Sequence, residues 1–234
     1  SYGLKYGLEI SEAMRVAIKK LGVVSGERIR DELFKCLAVS NFDAVIRLFG
    51  EFGVVDQLRL LTFGVDPAEP FVQQDDTETL SSLRDITDEL DEDFQPGYPM
   101  TDTEFETMQA YQEMLDESIQ GGRKRRHLLL LCSILLHIHP AFDAANSNQF
   151  ILQPGLFAEQ ISQALLTGQK ENAYFKAVSG GFLRLAELSM QEPGKLDYYR
   201  FFRDFGAYGL DSALLAVVEI ENQTPLLQFS SEIC

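Results

Sequence analysis

Ile29, Leu33 and Leu37 recur every four residues inside SGERIRDELFKCL, the stretch from Ser25 to Leu37. A strand would put Asp31 and Lys35 on the same face as these three, whereas a helix turns them to the other side. The same helical spacing returns in Phe42, Val45, Ile46 and Phe49, and in Phe157, Ile161 and Leu165. No segment alternates apolar and polar residues about a hairpin dipeptide. The chain is therefore predicted all-α, a multi-helical array of about ten to twelve helices with little or no strand.

Punctuation divides the array. Ser11 is read as the cap of a first helix carrying Met14, Ala17, Ile18 and Leu21, with Gly22 as its C-terminal stop. Ser25 caps the second, Ser40 or Asn41 the third, and Val54 to Phe63 forms a fourth before Gly64. Beyond Thr101 or Thr103, a helix buries Phe105, Met108, Tyr111 (or Gln112), Leu115 and Ile119 and breaks at Gly121–Gly122. The next opens with Arg123, Lys124, Arg125 and Arg126 and runs on as HLLLLCSILLHIHP; apolar on nearly all sides, it is predicted to be the central buried helix, stopped by Pro140. After the loop FDAANSNQFILQPG, one helix ends at Gly168. Another carries Tyr174, Phe175, Val178, Phe182, Leu185 and Leu188 and is interrupted at Gly180–Gly181, for a kink or for close packing. Tyr198, Phe201, Phe202 and Phe205 form an aromatic face read as core, Leu210, Leu214 and Val217 line a last helix, and Gln223 to Cys234 is a tail.

Composition narrows the function. Apolar residues make up 45% of the chain, the level of a globular protein. No apolar run reaches the roughly 18 residues of a membrane span, and Ser1 to Ile10 has no signal-peptide pattern. Cys36, Cys132 and Cys234 are too scattered for a disulfide scaffold or a zinc site, so a reduced, cytoplasmic location is the expectation. The net charge of −16 sits in one place. Residues 64–120 carry seventeen Asp/Glu against Arg84 alone, whereas 1–63 and 121–234 are near neutral. Within that segment QQDDTETLSSLRDITDELDEDF could form a narrow-striped helix, and its acids lack the central Gly and twelfth-position Glu of a calcium loop. A solvated acidic face or tether is the expectation. Four cations at the start of the Arg123 helix oppose its dipole; either a phosphate backbone or the chain's own acids must offset that, and the internal partner is favoured.

SGERIRDELFKCL, a short helix and then FGEFGVVDQL resemble the bacterial tRNA nucleotidyltransferase and poly(A) polymerase family. Ser25, Glu27, Arg28, Ile29, Glu32, Leu33 and Lys35 match its neck pattern. YGLKYGLEIS is similar to the segment before it, and KLDYYRFFRDFGAYGLDSALLAV to one in the family's C-terminal part, in family order over residues 1 to 218. The resemblance implies the neck, body and tail of such a protein: a neck-like subdomain at 1–63, an acidic linker or insertion at 64–100 and a helical body and tail at 101–234. It implies a job of gripping tRNA or other RNA for an N-terminal catalytic head that this chain lacks. Magnesium and a nucleoside triphosphate would belong to that head, and no cofactor, catalytic residue or metal ligand is expected here. The resemblance leaves open whether the parent adds CCA, adds poly(A) or has lost activity.

Arg28, Arg30, Lys35, Arg123, Lys124, Arg125, Arg126, Arg200 and Arg203 are the candidate RNA contacts, since cations pair with phosphates. In many relatives a metal-dependent phosphohydrolase (HD-type) motif occupies the place of LLHIHPAF. Here His137 stands for the motif's histidine while Ile138 replaces its aspartate, a degenerate form that lacks the hard oxygen ligand. The alternatives are a regulatory or protein-interaction module, whose acidic segment binds the basic patch or a partner protein, and, least favoured, a phosphohydrolase. Cys234 and the apolar stretch before it offer an edge at which a second copy could dock as a homodimer. No membrane partner is expected.

Overall fold

The computed structural model describes residues 7–39, 42–65, 110–111, 113–140, 152–191 and 193–219. Among the described residues the helices with both ends defined are α1 (Leu8–Ile18), α2 (Gly26–Leu37), α3 (Phe42–Phe52), α4 (Val54–Phe63), α5 (Arg125–His137), α6 (Pro154–Leu165), α7 (Gln169–Ser189), α8 (Lys195–Phe205) and α9 (Gly209–Glu219), and residues 110–111 and 113–116 are helical as well. Short 3-10 turns follow α1 at Leu21–Val23 and α8 at Gly206–Tyr208. Among the described residues one antiparallel hairpin pairs β1 (Ser118–Gln120) with β2 (Arg123–Lys124). The all-α reading holds.

The four-residue spacing buries what it predicts. Ile29, Leu33 and Leu37 face inward from α2, as do Phe42, Ile46 and Phe49 from α3, and Phe157, Ile161 and Leu165 from α6. Leu128 to Leu136 is buried throughout, so α5 is the enclosed helix its composition predicts. Each buried leucine contributes about 2 kcal/mol relative to exposure, and that scale lets the same helix carry Arg125 and Arg126 inward. Most buried apolar residues from α2 to α4 and from 115 to 216 belong to one hydrophobic cluster. Helix α7 packs against α5, α6, α8, α9 and β1, and α2 and α4 both pack on α6.

Several local expectations are corrected. α1 begins at Leu8, not after Ser11; Gly7 is its N-cap, and the Ser11 hydroxyl donates back to the Gly7 carbonyl from within the helix. The C-cap of α1 is Lys19, with Gly22 inside the following 3-10 turn. Ser25 does sit at the N-cap of α2 but makes no side-chain cap hydrogen bond. Gly121 and Gly122 do more than break a helix: both have positive φ, 60° and 76°, and form the two-residue turn of the β1–β2 hairpin. Ile119 therefore lies in a strand, and Arg123 and Lys124 precede α5.

Downstream, Leu166 at φ 49° ends α6, and Gly168 is instead the N-cap of α7. Helix α7 runs unbroken through Gly180–Gly181. A Cβ at Gly181 would lie 2.3 Å from the Ser212 hydroxyl, so close packing on α9 is the reason for that glycine. On α9 the buried residues include Asp211, Ser212, Leu215 and Ala216, whereas Leu210 is exposed, contrary to the stripe expected there. The Asp211 partner described below accounts for the difference. The caps expected at Ser40 or Asn41, the Leu80–Leu90 helix, nearly all of the acidic linker, Phe105, Met108 and the Cys234 tail lie outside the described residues.

Candidate nucleic-acid interface

Inward Ile29, Leu33 and Leu37 leave α2 with a solvent-facing stripe of Arg28, Asp31, Glu32 and Lys35. Lys35 Nζ donates to Glu32 Oε1 at 2.8 Å, and this hydrogen bond raises its pKa. Arg30 is not on that stripe. Its guanidinium is buried and grips Asp31 (2.8 and 3.0 Å), while Nη1 donates to the carbonyl of Leu166 at the end of α6. The N-terminal half of α2 is thereby docked on the C-terminal end of α6.

The hairpin brings a second set of cations against α2. Half-buried Arg123 lies 5.5 Å over the Phe34 ring and 3.6 Å from Asp31. Its Nε donates to Glu171, a fully buried carboxylate that also accepts the Gly168 N–H at 2.9 Å. Gln120 accepts the Lys170 N–H at 3.3 Å. Carboxylate and amide together occupy the N-terminus of α7, the position at which a helix dipole would otherwise favour a phosphate. Exposed Lys124 pairs with Asp116 at 2.9 Å, and buried Arg126 reaches the same carboxylate at 3.0 Å.

Arg125 goes furthest inward. Its Nε donates to the fully buried Asp211 at 2.8 Å, its Nη2 to the Ala207 carbonyl, and the guanidinium stacks 5.1 Å from the Tyr208 ring centroid. The Tyr111 hydroxyl donates to Asp211 at 3.4 Å. Burial pushes the Asp211 carboxyl up and Arg125 opposes that shift; burial also holds the Tyr111 and Tyr174 phenols well above their usual range. The block Arg123–Arg126 is thus offset from within the chain. The partners are Asp31, Glu171 and Asp211 as much as Asp116, the one described partner from the acidic segment.

On α8, Phe201 is buried with Phe202 edge-on and Phe205 tilted against it, ring centroids 5.0 and 5.1 Å away, so this aromatic face is core. The opposite stripe carries Leu196, Tyr199, Arg200 and Arg203, all exposed, Tyr199 by 67%. Arg203 pairs with Asp204 at 2.7 Å, and Arg200 lies 3.8 Å from Asp197. Sequence reasoning passed over Tyr199, which stands beside the apolar stripe and on the arginine face. It passed over Asp31, Glu171 and Asp211 as well. Their available signals were Glu171 three residues after a cap and an aspartate inside the period of α9.

The histidines end up in structural surroundings. His137 is buried. The His139 ring packs edge-on to Phe63 (4.7 Å) and Phe157 (5.7 Å), and burial lowers its pKa to about 4. Among the described residues no group of three or more His, Cys, Asp or Glu is arranged to hold a metal ion. Nor is any helix among them long and apolar enough to cross a membrane.

Residues 7–61, which comprise all of α1 to α3 and most of α4, match the family model described as "Probable RNA and SrmB- binding site of polymerase A". This segment is similar to an RNA-binding part of a poly(A) polymerase-type protein. Of the cations above, Arg28, Arg30 and Lys35 lie within the matched span. No curated protein matches the chain.

Proposed function

We propose that this chain is an RNA-binding helical module of a poly(A) polymerase-related protein. It holds RNA through its solvent-facing cations: Arg28 and Lys35 on α2, Lys124 on the adjoining β2, and Arg200 and Arg203 flanking Tyr199 on α8. The observation that carries this reading is that residues matching an RNA-binding family fold so that Arg28 and Lys35 remain exposed. Exposed cations meet phosphates, and an exposed tyrosine offers an unpaired base a stacking surface. Arg30, Arg123, Arg125 and Arg126 serve instead to hold the surface in shape, through pairs with Asp31, Glu171, Asp211 and Asp116.

In the finer form of the proposal, the RNA is tRNA or a related transcript, residues 1–63 act as a neck and 101–234 as body and tail joined by an acidic linker. Nucleotide addition, with magnesium and nucleoside triphosphate, then belongs to a catalytic head outside this sequence. The three stretches that resemble tRNA nucleotidyltransferases support it.

The test is fluorescence anisotropy of labelled tRNA, and of an oligoadenylate, titrated with the chain at about 50 and 200 mM salt, the range in which phosphate contacts weaken by orders of magnitude. Salt-sensitive binding is the expected result. No binding at the lower salt removes RNA as the ligand. The interaction-module reading, which the internal pairing of Arg123–Arg126 favours, then takes its place.

A further inference from the structure

Helix α1 differs from every other helix described. From Glu9 to Ile18 none of its side chains is buried, and Ser11 and Ile18 alone are partly covered. Ile10 and Val16 are 55% and 50% exposed. A helix of 11 residues draws little stability from its own hydrogen bonds, so a face left open to water calls for cover. The open face is one stripe: among the described residues, Glu9, Glu12, Ala13, Val16, Ala17 and Lys20 line a groove. These positions follow the i, i+3, i+4 rule and lie on the side of the helix away from Ser11 and Ile18.

We infer that this face docks on the same face of a second copy, with the two α1 helices antiparallel. Charge selects the partner and the direction. Acids occupy one end of the stripe, Glu9 and Glu12, and a cation the other, Lys20, with exposed Lys19 on its flank. In an antiparallel pair centred between Met14 and Arg15, Glu9 lies opposite the second copy's Lys20, and Glu12 beside its Lys19. A parallel pair would set acid on acid and cation on cation. At the centre Ala13 faces Val16 and the exposed Ile10 side chain covers Ala17 of the other copy; the alanines let the two backbones approach. The arrangement is self-complementary, as a two-fold interface must be.

The test is sedimentation equilibrium of the full chain in reducing buffer over a concentration series. The expected result is a monomer–dimer equilibrium. Val16→Asp abolishes it, and Glu9→Lys or Lys20→Glu alone weakens it at least about tenfold, because each sets like charges face to face. Measured at concentrations where the parent is itself monomeric, the melting temperatures of these variants stay near that of the parent, since the altered side chains are exposed. Mixing the Glu9→Lys chain with the Lys20→Glu chain restores association as a heterodimer, because each mutated position then meets its opposite charge. A monomer at every concentration overturns the inference. So does a dimer indifferent to Val16→Asp, or a mixture that fails to reassociate.

Discussion

Gly26 occupies the first turn of α2, where a Cβ would lie 2.0 Å from the Ala164 carbonyl oxygen. Helix propensity alone predicts that Gly26→Ala stabilises the chain by up to about 1 kcal/mol. The backbone contact reverses the sign. α2 must lift off α6 and loosen the Arg30–Leu166 bond, and urea unfolding should register a loss of about 3 kcal/mol. His139 sets a second prediction at this scale. An unfolded histidine takes up its proton near pH 6.5, while the ring between Phe63 and Phe157 waits until about 4. Between those values the unfolded state binds more protons, so stability falls as the solution is acidified through that window. From pH 7 to pH 5 the loss assigned to this ring is roughly 1 kcal/mol, allowing for its partial contact with water. His139→Phe keeps the aromatic packing, and the difference between its pH profile and the parent's isolates the term.

The contact that joins elements across the interior is Arg125 of α5 with Asp211 of α9. Both are buried, so removing one partner strands a charge. Arg125→Met should cost about 3–5 kcal/mol, whereas Arg125→Met with Asp211→Leu should recover most of it. A double-mutant cycle in urea measures that coupling. Burial already raises the Asp211 pKa against the pull of Arg125. Without the arginine the carboxyl is easier still to protonate, so the single variant loses stability as pH rises through that raised pKa. The hairpin teaches a related lesson. Gly121–Gly122 is a turn dipeptide that sequence can recognise, yet strands of three and two residues carry too little alternation to announce themselves beside long helical periods.

For the molecule as a whole, the cations divide into those facing water and those holding the fold. Replacing Arg28 and Lys35 by alanine should weaken RNA binding and leave the melting temperature nearly unchanged. Reversing Arg123 and Arg125 to glutamate should lower the melting temperature first, because their partners Glu171 and Asp211 are fully buried. Anisotropy and thermal melts on the same samples separate the two classes. Local spacing was enough for most of the helices, the inward stripes of α2, α3 and α6 and the enclosure of α5, because apolar periodicity is a property that any helical backbone translates into a face, whereas on α1 Met14 and Ala17 and on α9 Leu210 stay exposed. Which polar groups go inside is set by the packing of elements far apart in the chain. Arg125 and Asp211 stand 86 residues apart, Arg123 and Glu171 48. A charge is tolerated in the interior only beside its partner, and the packing of distant helices alone sets where that partner lies.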